Sequence, residues 1–436
     1  MSIPSKIQSM QRKPAPLLAP RFGPLSGMRV LCTGSIVAGP FGPTLLADYG
    51  AEVIHVEAPG YGDTYRTLGP FLVTEDGRRI SLPFSNDARN KLFMTLNLRL
   101  KECEECREVF LGLIKQSDLW FENLVWLEER YGITMETVFE VNPKIVVVRI
   151  SGYGHAKHGG GLPEYSRRAS YDLIGQAFSG WPEVVAFPDT PPRRVPLWAG
   201  DYITALFATI GGLAAYINAQ KTGKGQVVDV AQFEAIARIL ESYFTSYLNA
   251  GILRPREPNK AASFQPYDIF RAKDGWVAVG AFGPAVYNRF IKALAEATGI
   301  DPSRYPWEKC AATREAVESQ LGRELDEITR KWISEHTVRE VEELMAKYDV
   351  PCTRVMRVED AVNHPHWVLR NNFVEAFDEW AGKTLKYFGV VPKFTETPGK
   401  VWRGSPPIGG DTEKILKELL DYSDDEIRKL KEKKVI

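Results

Sequence analysis

The stretch "MRVLCTGSIVAGPFGPTLLADYGAEVIHVE", residues 28–57, constrains this chain more than any other. "MRVLCTGS" is a short apolar run rich in strand formers, "PTLLADYGAE" has helical spacing, and "VIHVE" is a second strand-forming run. Strand, turn, helix and strand in that order predict a βαβ unit, in which a helical crossover sets two parallel strands side by side. "SDLWFEN" and "KIVVVRISGYG" predict further strands, with "ECREVFLGLIKQ" as a helix before them. The first half therefore reads as α/β, a Rossmann-like parallel sheet covered by helices.

Beyond residue 226 the texture changes. "QVVDVAQFEAIARILESYFTSYLNAG" predicts a strand and a long helix, and "YDIFRAKDGWVAVGAF" predicts a hairpin turning at Asp-Gly. "PAVYNRFIKALAEATG" and "EVEELMAKYDV" are amphipathic helices. "KTLKYFGVVPKFTET" carries strand signals, and the tail predicts one charged helix capped by Asp411. The expected organisation is an N-terminal arm over residues 1–20, an α/β first half, and a smaller α+β domain with connectors over 227–350. No internal repeat is evident.

Composition narrows the function. Lys plus Arg (55) equals Asp plus Glu (55), so no net field favours nucleic acid or an anionic membrane. No apolar run was found to approach the ~18 residues that span a bilayer. The Pro-rich start lacks the apolar core of a signal peptide, and five cysteines are an odd number for a disulfide framework. A cytoplasmic location is the expectation. Cys103 and Cys106 form a CxxC without a second pair, read as two thiols on a helix surface. The pairs His155/His158 and His364/His366 have no matching carboxylate cluster in sequence, so no metal is expected.

The commonest cofactor motifs are missing. The turn "TGSIVAGPFGPT" lacks G-x-G-x-x-G and the Gly-Lys-Ser/Thr of a P-loop, although Glu57 stands where a ribose-binding acid would. This argues against a nicotinamide dehydrogenase. HExxH, GxSxG and EF-hand patterns are absent too. One carboxylate stands out: Asp201, at the head of "GDYITALFATIGGLAAYINAQ". Taken alone it reads as a helix N-cap.

Several stretches together resemble one family. "GMRVLCTGSIVAGPFGPTLLADYGAEVIHVEAPGYGDTYR", "NPKIVVVRISGYG", "SYDLIGQAFSG" and "GDYITALFATIGGLAAYINAQKTGKGQVVDVAQFEA" are similar, in order, to the class III CoA-transferases (CaiB/BaiF type). The likeness runs on to "PKFTETPGKVWRGSPPIGGDTEKILKELLDYSDDEI", and the carnitine branch is the nearest in "FGPLSGMRV" and "PGKVWRGSPPIGGDT". The resemblance implies two interlocked ring-like subunits, each with a small domain and a Rossmann-like large domain built from both chain ends, here residues 21–226 with 351–436. It implies acyl-CoA and a small carboxylic acid as substrates, with no permanently bound cofactor, no metal, no nucleic acid and no membrane. It also implies covalent catalysis by an aspartate, through an aspartyl–acyl anhydride and an aspartyl-CoA thioester.

That aspartate falls on Asp201. A carboxylate nucleophile must be ionised and sterically open; a helix N-terminus is expected to keep it ionised, and Ala199 and Gly200 leave room beside it. The resemblance places Val37 and Ala38 in the loop that approaches the reacting carbonyl. It places Leu96 and Arg99, with Asn123, Leu124 and Val125, along the nucleotide end of CoA. Arg130 matches a phosphate-binding arginine, and Tyr171 and Asp172 line the pantetheine and acyl region. A lysine that the carnitine branch carries near CoA is replaced here by Leu124 or Val125, and "NKAASFQPYD" stands where some members have a glycine-rich loop.

Two alternatives share this frame. The α-methylacyl-CoA racemases pair Asp with His in a "GHD"-like motif, which here reads "SYD", so Tyr171 replaces the second base. A catalytically silent subunit of a hetero-oligomer is the other. Carnitine-like acids would want an aromatic or acidic pocket; Trp181, Trp198, Tyr202 and Asp172 fit such a pocket or, equally, a packed core.

Overall fold

The structure is a computed structural model describing residues 3–436. The chain forms two compact units. The first comprises the chain up to Trp181, Arg194–Glu241 and His366–Ile436; the second comprises Pro182–Arg193 and Ser242–Pro365.

The first unit is built on six strands: β1 (Arg29–Cys32), β2 (Glu52–Glu57), β3 (Leu92–Thr95), β4 (Leu119–Glu122), β5 (Val146–Ser151) and β6 (Gln226–Ala231). They lie in the spatial order β3-β2-β1-β4-β5-β6, every neighbouring pair parallel. This is the doubly wound order, in which the chain starts at the centre and winds outward in both directions. The reversal falls between β1 and β4. β1 to β4 are buried along their whole length, as expected of parallel strands covered on both faces.

Helix α1 (Phe41–Asp48) makes the first crossover and α2 (Glu104–Gln116) the one from β3 to β4. The long insertion between β5 and β6 holds α3 (Asp172–Ser179) and α4 (Ala199–Thr222), and α5 (Gln232–Arg238) follows β6 directly. Small residues turn α4 into a close-packing helix: Ala205, Ala208, Gly212, Ala215 and Ala219 are buried. A Cβ on Gly212 would stand 3.1 Å from Val148 and 3.3 Å from Leu119 and Phe121. By length and composition α4 is long and apolar enough to cross a membrane, which corrects the reading that no apolar run reaches that length; the small residues count as apolar while serving here as its sheet-facing side.

Other expectations are corrected. The long helix expected after β6 is interrupted where Glu241 adopts a left-handed backbone (φ 50°), leaving α5 and a separate helix Tyr243–Ala250. The single C-terminal helix is also broken: Asp421 has φ 58°, and α6 (Asp424–Glu432) is capped by Ser423 and Glu426 in a capping box. Asp411 is not a side-chain cap; its carboxylate accepts the Phe93 N–H and pairs with Arg403. Cys103 and Cys106 are disulfide-bonded instead of being two surface thiols. Standing at the N-cap and third position of α2, they have Cα atoms 5.2 Å apart, within bridging range.

The second unit carries the predicted hairpin, Tyr267–Arg271 with Trp276–Gly280, and a third strand, Cys352–Arg354, beside it. Helices Pro284–Thr298, Gln320–Ser334 and Val338–Lys347 contribute to its own core, which includes Phe270, Val277, Tyr287, Phe290, Leu325 and Trp332.

At the N-terminal edge of the main sheet, Arg29 and Glu52 are wholly buried and paired at 2.6 Å. Glu52 also accepts the backbone N–H groups of Leu17, Leu18 and Ala19. Arg29 donates to the carbonyls of Lys13, Pro14 and Gln116, each at 3.0 Å. One ion pair thus fastens the N-terminal arm to β1 and β2. Arg29→Met is expected to lower unfolding stability by about 3–5 kcal/mol, because it leaves the Glu52 charge buried without its cation; urea titration of the variant against the parent measures this.

Candidate active site

Asp201 lies in the first turn of α4 and is 7 % exposed. The cap of that helix is supplied from elsewhere. Asp172, at the start of α3, accepts the Gly200 N–H at 2.8 Å and the Asp201 N–H at 3.3 Å. Gln176, one turn further along α3, donates to the other Asp172 oxygen at 2.7 Å and clasps both backbone groups of Val195. The cap reading therefore moves from Asp201 to Asp172, and the Asp201 carboxylate is left to other work.

Its one hydrogen-bond donor among the described residues is Gln232 Nε2, from the first residue of α5. Ser170 Oγ donates to Gln232 Oε1 at 3.1 Å and fixes the amide. Two glycines make this approach possible. A Cβ on Gly175 would sit 2.5 Å from the Gln232 side chain, and one on Gly200 would meet Ile236 at 2.7 Å and Asp172 at 2.9 Å. The entry to α4 is a strained elbow, since Leu197 and Trp198 both have left-handed backbones (φ 63° and 52°).

The expectation that a helix N-terminus holds Asp201 ionised is corrected. Burial, and then the like charge of Asp172, push its carboxyl up to about 7, against the lowering effect of the Gln232 hydrogen bond. The first-turn N–H groups that might have offset this already serve Asp172.

A cavity of about 710 Å³ opens at the C-terminal edge of β1, β2, β3 and β4, where ligands bind in doubly wound sheets. Thr33, Gly34 and Ser35 line it after β1, residues 57–64 after β2, and residues 96–99 after β3; Leu124, Arg130 and Tyr131 line the fourth side. Asn123 joins the two loops at the switch point, accepting the Ser35 N–H at 2.9 Å and donating to the Ser35 carbonyl at 3.0 Å. His55, in the wall, touches the Gly34 carbonyl through Nε2 at 3.1 Å. Its pKa is held well below the usual value by burial and by the nearby Lys91 and Arg66 charges. Glu57 is not free for a ribose: Arg66 binds it at 2.9 Å and 3.0 Å, and the Asp63 and Gly409 N–H groups complete its shell.

The loop over residues 35–40 leads from cavity to carboxylate. Ser35 lines the cavity, while Phe41 packs edge-on against Tyr202, with ring centroids 4.7 Å apart. Of the residues the resemblance singled out, Leu96, Arg99, Leu124 and Arg130 line the cavity, and Asp172 and Asp201 meet at the head of α4. Val37 is fully buried in an aromatic cluster with Tyr65, Phe84 and Phe93, and Ala38 packs on a neighbouring one. Val125 is outside the cavity wall, and the Tyr171 side chain is exposed. Trp198 and Tyr202 pack into the Val37 cluster, where the Tyr202 hydroxyl donates to Asp87 at 2.9 Å.

Sequence reasoning passed over Gln232, Gln176, His55 and Lys434, all of which belong to these walls or contacts. Only Gln232 carries a local signal, as a polar residue closing an apolar strand. His155, without a visible partner in sequence, meets Asp229 at 2.6 Å. Among the described residues no group of three or more His, Cys, Asp or Glu could hold a metal ion.

The doubly wound parallel sheet carries a cavity at its switch point, and a buried carboxylate lies one loop away. A profile of CoA-transferase family III matches residues 25–412, and the chain belongs to that family. It is 35% identical over 418 residues to the bile acid CoA-transferase BaiK of Clostridium scindens, covering 94% of this chain and 88% of that one. It is 34% identical over 419 residues to the succinyl-CoA–L-malate CoA-transferase alpha subunit of Chloroflexus aurantiacus, covering 95% and 92%. Among solved structures, a CaiB/BaiF family protein from Brucella suis superposes with a TM-score of 0.77 at 26% identity, covering 92% of this chain and 100% of that one.

The raised Asp201 carboxyl has a stability signature. The folded chain holds this proton up to about pH 7, whereas an unfolded Asp releases it near pH ~4. Stability contributed by this site therefore falls as pH rises from ~4 to ~7 and is flat above. Asp201→Asn is expected to melt higher than the parent at pH 8, with the difference closing towards pH 4, as read by differential scanning calorimetry.

Proposed function

We propose that this member of CoA-transferase family III moves CoA from an acyl-CoA to a free carboxylic acid, with Asp201 as the nucleophile. The observation that carries the reading is a buried carboxylate, freed from capping duty by Asp172, one loop away from a cavity of nucleotide size. In this scheme the CoA nucleotide occupies the cavity between residues 96–99 and Arg130, and the pantetheine follows the loop over residues 35–40 towards α4.

The chemistry balances without a metal or redox partner. Asp201 attacks the thioester carbonyl, the C–S bond breaks, and CoA thiolate leaves an aspartyl–acyl anhydride. The thiolate attacks the aspartyl carbonyl and expels the donor acid as carboxylate, which gives an aspartyl-CoA thioester. The acceptor carboxylate then attacks that thioester, thiolate departs once more, and its return to the acceptor acyl carbon forms the new acyl-CoA and frees Asp201. Gln232, already donating to Asp201, is suited to stabilise the oxyanion that forms at the aspartyl carbonyl.

Carnitine-like acids stand as candidate acceptors beside the bile acid and the L-malate for which two relatives are named. The racemase alternative asks for a second base at position 171, where an exposed tyrosine stands. A homodimer is part of this proposal. Leu206, Ile210 and Ile217 run along the outer face of α4 as exposed apolar residues, a stripe suited to a second subunit.

Incubation with a panel of acyl-CoAs, trapping with hydroxylamine and peptide mass spectrometry test the nucleophile. A hydroxamate on the Asp201 peptide is expected from the parent and from no Asp201→Ala sample. No adduct together with α-proton exchange into heavy water would favour the racemase. No adduct and no exchange would favour a subunit that requires a partner chain, as the name of the malate relative allows. Because only ionised Asp201 attacks, kcat/KM is expected to rise about tenfold per pH unit below pH 7 and level off above it.

A further inference from the structure

Lys434 stands in the cavity wall, about 400 residues along the chain from Thr33 on the same wall. It follows α6 in a left-handed backbone, φ 57°. Its N–H donates to the Lys431 carbonyl and the Val435 N–H to the Leu430 carbonyl, both at 2.9 Å. This pair of bonds is the Schellman closure, whose left-handed position is normally glycine because a Cβ is strained there. A lysine at this position needs a reason other than ending the helix.

Three observations supply one. The backbone is pinned on both sides of the side chain: Val435 is buried in the main core, and its carbonyl accepts the Asn97 N–H at 2.8 Å, inside the cavity loop over residues 96–99. The neighbouring lysines are committed, Lys431 to Glu413 and Lys433 to Glu105, whereas Lys434 has no carboxylate partner among the described residues. The other cations of the same wall are also available. Arg130 has no carboxylate partner among the described residues, and Arg99 has only Glu102, 4.0 Å away with both side chains largely exposed. The two sides of the wall are tied together by Lys101, whose Nζ donates to the Glu129 carbonyl at 2.7 Å. Lys434, Arg99 and Arg130 thus surround one cavity as cations awaiting an anion.

We propose that Lys434 binds a phosphate group of the CoA nucleotide, completing with Arg99 and Arg130 a three-cation phosphate site. This rests on the cavity being the CoA site. It also accounts for the apolar Leu124 and Val125 where a related branch carries a lysine: the positive charge enters the cavity from the C-terminal segment instead. The phosphate is either the 3′-monoester or the pyrophosphate, both of which want charge-assisted donors.

The test uses the full chain, with Lys434→Gly and Lys434→Met and calorimetric titration of CoA and 3′-dephospho-CoA at two salt concentrations. Both variants are expected to bind CoA about tenfold more weakly, with a shallower salt dependence. Lys434→Gly should melt no lower than the parent, since glycine suits the left-handed position; a purely structural lysine would not produce that split. A defect that disappears with 3′-dephospho-CoA assigns the 3′-phosphate, and one that persists assigns the pyrophosphate. Parent-like affinity and salt dependence in both variants would overturn the assignment of Lys434 alone. Failure of the parent chain to bind CoA would overturn the cavity reading, and this proposal with it.

Discussion

Helix α4 approaches the sheet so closely that a Cβ on Gly212 would crowd Val148, Leu119 and Phe121. The same approach recurs at Gly42, where a Cβ would stand 2.6 Å from Thr209 Oγ1. These contacts fix α4 against both α1 and the strands beneath, so the position of its first turn follows from the packing of its middle. Asp201 is placed by this contact surface, and Asp172 and Gln232 only trim its orientation. The outer face of the helix is left free to carry Leu206, Ile210 and Ile217, so one element joins sheet, Asp201 and apolar stripe.

Charge is treated in two opposite ways within the first unit. Along the sheet and its rims, buried carboxylates are neutralised: Glu52 by Arg29, Asp48 by Arg89 at 2.6 Å, Glu122 by Arg149 at 2.5 Å. At the head of α4 two carboxylates lie together, and among the described residues only amide donors attend them. Buried pairs of the first kind are costly to break. At the head of α4, burial raises the Asp201 carboxyl and the like charge of Asp172 raises it further, to about 7, and such perturbations cluster where side chains do chemistry.

The elements read most directly from sequence were those whose cause is local. The βαβ opening and the Asp-Gly hairpin announce themselves by apolar period and turn chemistry, and both form where expected. Asp201 could be located by resemblance, yet its electrostatics could not: the acid that raises it lies 29 residues away in sequence, and the amide that steadies it 31. The breaks at Glu241 and Asp421 escaped notice because left-handed non-glycine residues have no sequence signature as strong as glycine. Cys103 and Cys106 looked like unpaired thiols because spacing alone does not reveal that the first is an N-cap and the second lies one turn inward. Lys434 was invisible for the plainest reason: nothing local links the end of a charged helix to the first strand.

That last link has a bearing on biosynthesis. Thr33 and Lys434 share one wall, and Asp411 and Gly409 bond to Phe93 and Glu57. On a ribosome adding ~5–20 residues per second, about 400 residues separate the first wall from the last, a wait of roughly 20–80 s. Through that interval the emerging sheet lacks one wall of its cavity and the contacts that Asp411 and Gly409 make to its rim. The nascent chain thus gains the full set of cations that line this cavity only after residue 434 has been added.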